Sequence, residues 1–142
     1  MKRRYMISDA EQFVNLRNSK SPSEYLKAAN ETAPVNVWLD VISRFPDMKI
    51  WVAHNKTVQI EVLEQLARDP DPNVRTAVAM KNKLTPSLIQ LLSTDPAAAV
   101  RERIAYHKKT PIQILRLLVA DPVVSVSHVA RERLRSTEAK EL

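Results

Sequence analysis

Leu66-Ala67-Arg68-Asp69-Pro70-Asp71-Pro72-Asn73-Val74-Arg75 decides the fold, because its landmarks return at a fixed interval. Asp69-Pro70 recurs as Asp95-Pro96 and Asp121-Pro122, each step being 26 residues. Val74-Arg75 recurs as Val100-Arg101, and Val126-Ser127 continues the column with the arginine lost. Ala53, Ala79 and Ala105 keep the same interval. Thr85-Pro86 and Thr110-Pro111 precede two of the Asp-Pro pairs, and Thr57-Val58 holds the corresponding place one unit earlier. Several residue types recurring in one register mark a repeat architecture.

Each unit reads as two short helices. Thr57, Thr85 and Thr110 stand as N-caps, with Pro86 and Pro111 at the first helical position, where a missing N–H costs nothing. Gln113 completes a capping box with Thr110. The first helix carries apolar columns: Val62, Leu88 and Ile114; Leu63, Ile89 and Leu115; Leu66, Leu92 and Leu118. Asp69, Asp95 and Asp121 end that helix and cap the next. The second helix buries Val74, Ala77 and Val78, then Val100 and Ile104, then Val126, Val129 and Ala130. Neither helix can bury its stripe alone, so stacked pairs supply one continuous core.

Pro34–Ser43 and Asp47–His54 form a shortened unit, filled by Trp38, Leu39 and Ile42 and by Ile50 and Trp51. Ahead of it, Ser8 with Glu11 and Ser21 with Glu24 are capping-box signatures. They open helices near 9–18 and 22–30, with Phe13, Val14, Leu16, Tyr25 and Leu26 as the apolar side. Residues 1–33 are therefore an N-terminal helical cap and 34–135 the repeats. Arg131-Glu132-Arg133-Leu134-Arg135 gives a polar C-terminal cap, and 136–142 a frayed tail. The expectation is an all-α fold: one compact α-solenoid of two-helix repeats, capped by helices at both ends.

Composition agrees. Of 142 residues, 44% are hydrophobic and 27% charged, and glycine is absent beside nine prolines. Hairpins and bulges need glycine, whereas helices can be punctuated by Pro, Asp, Asn and Thr. Without cysteine there is no disulfide, zinc–thiolate or iron–sulfur site. Met1-Lys2-Arg3-Arg4 looks like the start of a signal peptide, but Ser8, Asp9 and Glu11 interrupt any apolar stretch behind it. No run approaches the roughly 18 apolar residues of a membrane span, so a cytoplasmic location is expected. A net charge of +6 and a pI near 9.8 favour acidic partners.

The 66–75 segment resembles the bacterial leucine-rich repeat variant family and, more broadly, HEAT-like repeats. Ala105-Tyr106-His107-Lys108-Lys109-Thr110-Pro111 resembles the segment joining repeats in the variant family. The resemblance covers about 34–135 and implies a helical scaffold with many possible partners. Some members of that family carry a cysteine-ligated iron–sulfur cluster, which this chain has no cysteines to hold. A related HEAT-like class excises alkylated bases from DNA. Trp38 and Trp51 with Asp40 or Asp47 would be the candidates for that role, but no motif matches. In HEAT-like repeats aligned Asp and Arg form an internal ladder, which implies a structural role for Asp69 with Arg75 and Asp95 with Arg101.

The candidate binding site is a basic ridge. Lys83, Lys109 and Arg135 share one 26-residue column, with Lys56 one residue out of register. The adjacent column reads Asn55, Lys81, His107 and Arg133, and Lys108 lies between the two. Met80–Ser87 and Tyr106–Gln113 contain no acid. Lysines near helix C-termini also serve the macrodipole and solubility, which is the bland alternative. His54 and His107 sit at comparable loop positions without carboxylate neighbours at metal-ligand spacing, His128 lies in the last helix, and Trp38 and Trp51 read as core. No catalytic residues, cofactor or metal are expected.

The leading function is a monomeric, non-enzymatic module binding an acidic protein, as adaptor or inhibitor. The alternative is sequence-independent binding of a DNA or RNA backbone through the same ridge. A glycosylase-like enzyme ranks third.

Overall fold

The computed structural model describes residues 7–141. Met1-Lys2-Arg3-Arg4, and Leu142 at the end of the expected tail, lie outside that range. Among the described residues there are ten α-helices, one short 3₁₀ turn and no strand. The fold is all-α. It divides into two compact units between Asp69 and Pro70.

The first unit holds α1 (Ala10–Asn18), α2 (Pro22–Asn30), α3 (Val35–Arg44), the 3₁₀ turn Pro46–Met48, α4 (Lys49–His54) and α5 (Ile60–Leu66). α1 packs on α2 and α3, and α3 on α4 and α5. Val37, Trp38, Val41 and Ile42 follow i, i+1, i+4 spacing, so α3 turns one apolar stripe into the core. Trp38 is fully buried and meets the Phe13 ring edge-on at 5.1 Å, a favoured aromatic geometry. Each such large side chain contributes roughly 1.5–3 kcal/mol by burial.

The second unit holds α6 (Pro72–Ala79), α7 (Pro86–Ser93), α8 (Ala98–Tyr106), α9 (Ile112–Leu118) and α10 (Val124–Glu141). α6 packs on α8, α8 on α10, and α7 on α9, so alternate helices lie side by side. Val74, Ala77 and Val78, Val100 and Ile104, and Val126, Val129 and Ala130 are all buried, as their columns require. Leu88, Ile89, Leu92, Leu115 and Leu118 fill the other side of this core.

Several local expectations are corrected. Thr85 does cap α7, accepting from the Leu88 N–H at 3.2 Å, with Pro86 at the first helical position. Thr57 and Thr110 do not cap. Thr57 Oγ1 donates to the Glu31 carbonyl at 3.2 Å and to Asn55 Oδ1 at 2.7 Å, while α5 begins after Gln59. Thr110 is buried and donates to the Ile104 carbonyl at 2.6 Å, closing the turn after α8. Pro111 consequently occupies the N-cap place of α9. Asp71, not Asp69, caps α6, accepting from Asn73 N–H.

At the N-terminal end, α1 is capped by Asp9, which accepts from Gln12 N–H at 2.8 Å. Gln12 Oε1 in turn accepts from the Ser8 N–H, so the reciprocal pair is displaced from Ser8 and Glu11. Tyr25 and Leu26 are exposed rather than inward, and Trp51 is 38% exposed while Val52 and Ala53 take the core positions. The segment 136–141 is not a separate frayed tail. α10 runs unbroken to Glu141 because no proline or glycine follows Pro122, and Thr137 Oγ1 donates back to the Arg133 carbonyl at 2.8 Å.

Candidate functional site

The structure separates the conspicuous charges into those spent on the fold and those left to solvent. Arg75 grips Asp95 through two nitrogens, Nε at 2.8 Å and Nη2 at 3.0 Å, and donates to the Pro70 carbonyl at 3.0 Å. Arg101 grips Asp121 in the same way, at 2.7 and 3.2 Å, and its Nη1 reaches the Asp95 carbonyl at 2.7 Å. The planar guanidinium fits a carboxylate edge with two parallel bonds, which gives direction as well as attraction. Asp95 and Asp121 also accept from Ala97 and Val123 N–H groups, ordering the turn across each Asp-Pro pair. The arginine hydrogen bond, above all, lowers the Asp121 carboxyl pKa below its usual value.

These partners lie 20 residues apart within the second unit, so each arginine joins the aspartate that follows it and not the one six residues before it. Lys49 pairs with Asp69 at 2.7 Å over the same separation. Lys49 escaped the sequence reading. Its signal was positional: it lies 26 residues before Arg75, in the arginine column, but with a different residue type.

The Asn55, Lys81, His107, Arg133 column is likewise tied to backbone. Asn55, fully buried, donates to the Ala28 and Glu31 carbonyls at 2.8 and 3.0 Å. His107, also buried, places Nε2 2.7 Å from the Lys81 carbonyl, and its Nδ1 accepts from the Lys109 N–H. That second bond makes Nε2 the donor when the ring is neutral. Arg133 Nη1 donates to the Ala105 and His107 carbonyls at 2.8 and 2.9 Å. Lys81 is half-buried, and burial first, then the charge of Lys83, lowers its ammonium pKa. Loop carbonyls that would otherwise lack donors are thereby satisfied. Two of the eight residues expected to bind a partner, His107 and Arg133, are thus occupied within the fold.

What remains is the other column and its neighbours. Lys83, Lys108 and Lys109 are exposed on the second unit and make no ion pair among the described residues. Arg135 is exposed and bridged to Glu132 at 3.1 Å. Lys56, in the first unit, is exposed, and its N–H donates to the Ala29 carbonyl. Beside Lys108 opens a cleft of about 290 Å³ lined by Met80, Asn82, Arg103, Tyr106 and His107, with no carboxylate in its wall among the described residues. Tyr106 is 56% exposed and Met80 50%.

Arg103 and Met80 were not singled out from sequence. Met80 and Tyr106 share a 26-residue column, and Arg103 precedes Tyr106 by three residues, which puts it on the same face of α8. No group of three or more His, Asp or Glu side chains among the described residues could hold a metal, and no helix among them is long and apolar enough to cross a membrane. Comparison with family models, with curated proteins and with solved structures yields no match.

Proposed function

We propose that the chain is an α-solenoid of two-helix, 26-residue units that binds an acidic segment of another protein, without catalysis, through the cleft around Tyr106. The resemblance to leucine-rich variant and HEAT-like repeats supports the architecture, as does the repeated Arg-to-Asp fork over one separation. The observation that carries the function is the wall of that cleft: an exposed tyrosine and methionine with two cations, Arg103 and Lys108, that make no ion pair among the described residues, and no acid among them. Tyrosine and arginine are enriched among residues that dominate protein interfaces, and methionine adapts to the shape it meets.

Backbone binding to DNA or RNA through Lys81, Lys83, Lys108 and Lys109 is the second reading, favoured by the acid-free loops that carry them. Anisotropy titrations with a labelled Glu- and Tyr-containing peptide and with a 20-base-pair duplex separate the two. The proposal expects peptide binding that Tyr106→Ala weakens about tenfold, a loss typical of an interface anchor. Duplex binding whose log–log salt slope is about 0.9 per phosphate contact, unaffected by Tyr106→Ala, would replace it with the nucleic-acid reading.

A further inference from the structure

The first unit carries an apolar cleft that neither the repeat nor the basic ridge accounts for. It encloses about 370 Å³ between α1, α2 and α4, and its walls include Phe13, Tyr25, Leu26 and Trp51. Tyr25 and Trp51 are each 38% exposed and Leu26 53%. Ala28 and Ala29 form the floor. Asn55 and the Lys56 N–H bond to the Ala28 and Ala29 carbonyls, holding the end of α4 against α2, and the small side chains leave the space above open.

One cation stands in this wall. The Arg17 guanidinium carbon lies 3.4 Å from the centre of the Trp51 ring, whose centre is also 5.7 Å from that of the tilted His54 ring. Arg17 makes no ion pair among the described residues. Among the described residues no Asp or Glu lines the cleft. A guanidinium held over an indole by its carbon can still meet a carboxylate with the N–H groups in its own plane, bidentately. At a helix C-terminus an arginine also serves the macrodipole. That role does not require a tryptophan platform or an open apolar cleft beside it.

We infer that this cleft is a second protein-docking site, which takes a bulky apolar side chain flanked by an acidic residue, the carboxylate meeting Arg17. The inference rests on the reading of the chain as a protein-binding module but uses none of the residues around Tyr106. Tryptophan, tyrosine and arginine together are the composition of an interface anchor. A volume near 370 Å³ lies in the range of ligand-holding clefts and admits one aromatic side chain with its neighbours.

The test uses the full chain and three peptides: Ac-Glu-Glu-Phe-Glu-Glu-amide, the same with Gln for Glu, and the same with Ala for Phe. Trp51 fluorescence reports the cleft, because Trp38 is fully buried. The Glu–Phe peptide should shift that emission and bind about tenfold more tightly than either control. Arg17→Gln should erase the preference for Glu over Gln, and Ala29→Leu, which fills the floor while keeping Arg17 and Trp51, should weaken the Phe peptide about tenfold. Equal binding of the Phe and Ala peptides, or Glu preference that survives Arg17→Gln, would overturn the inference. A concentration-dependent dimer abolished by Ala29→Leu would also overturn it, by making a second copy the occupant. If peptide binding depends on Tyr106 alone and leaves Trp51 emission unchanged, the docking inference fails and the proposed function stands.

Discussion

The two units solve the same joining problem with different chemistry. In the second, Arg75 and Arg101 each hold an aspartate by two nitrogens and a loop carbonyl by a third, with their side chains 13% and 15% exposed. In the first, Lys49 meets Asp69 at one point, 2.7 Å away, on a side chain 23% exposed. The arginine rungs fix distance and plane; the lysine rung fixes distance alone. The units also differ in what they leave unused. The second presents cations around one tyrosine, and the first presents aromatic and aliphatic surface around one arginine.

That contrast sets the size of each expected effect. Arg101→Ala strands the Asp121 carboxylate and leaves the Asp95 carbonyl without its donor, so unfolding should become easier by about 3 kcal/mol in denaturant titration. Asn55→Ala, which takes a donor from the buried Ala28 carbonyl and from the part-buried Glu31 carbonyl, should cost about 2 kcal/mol in the same measurement. Lys49→Ala should cost about 1 kcal/mol, since one charged contact is lost beside more solvent. A cost equal to that of Arg101→Ala would erase the distinction between the rungs. Lys83 is exposed and makes no ion pair among the described residues, so Lys83→Glu should change stability by less than about 0.5 kcal/mol.

Acid gives a further handle on the arginine rung. The Asp121 carboxyl is held below its ordinary pKa by Arg101, so its contribution is complete at neutral pH. It must disappear as the pH falls through the carboxylate range towards the lowered folded value. Asp121→Asn should therefore destabilise the protein at pH 7 and flatten the acid limb of its stability profile. An acid limb unchanged by the substitution would detach this pair from the pH dependence.

Much of the fold was legible because burial obeys the columns. Val74, Val100 and Val126 are all at most 3% exposed, and side chains with no polar alternative have one place to go. Polar side chains were harder, since a threonine hydroxyl can cap forward or bond backward with similar energy. Thr85 does the first, whereas Thr57 and Thr110 do the second. The site was legible only in outline. The lysine columns were visible as charge, but His107 and Arg133 turned to loop carbonyls that no sequence pattern marks. Tyr25, Leu26 and Trp51 read as core because their helical spacing suits it, and only packing shows that Ala28 and Ala29 leave them an open cleft.

The paired Arg and Asp side chains hold the second unit together, and the cations around Tyr106 are the ones proposed to meet a partner. That division is tested most directly by one double variant, Arg103→Glu with Lys108→Glu, followed by thermal unfolding and by anisotropy with the Glu- and Tyr-containing peptide. The account predicts a Tm within about 3 °C of the parent and peptide binding weakened at least about tenfold. A large fall in Tm with peptide affinity unchanged would contradict it.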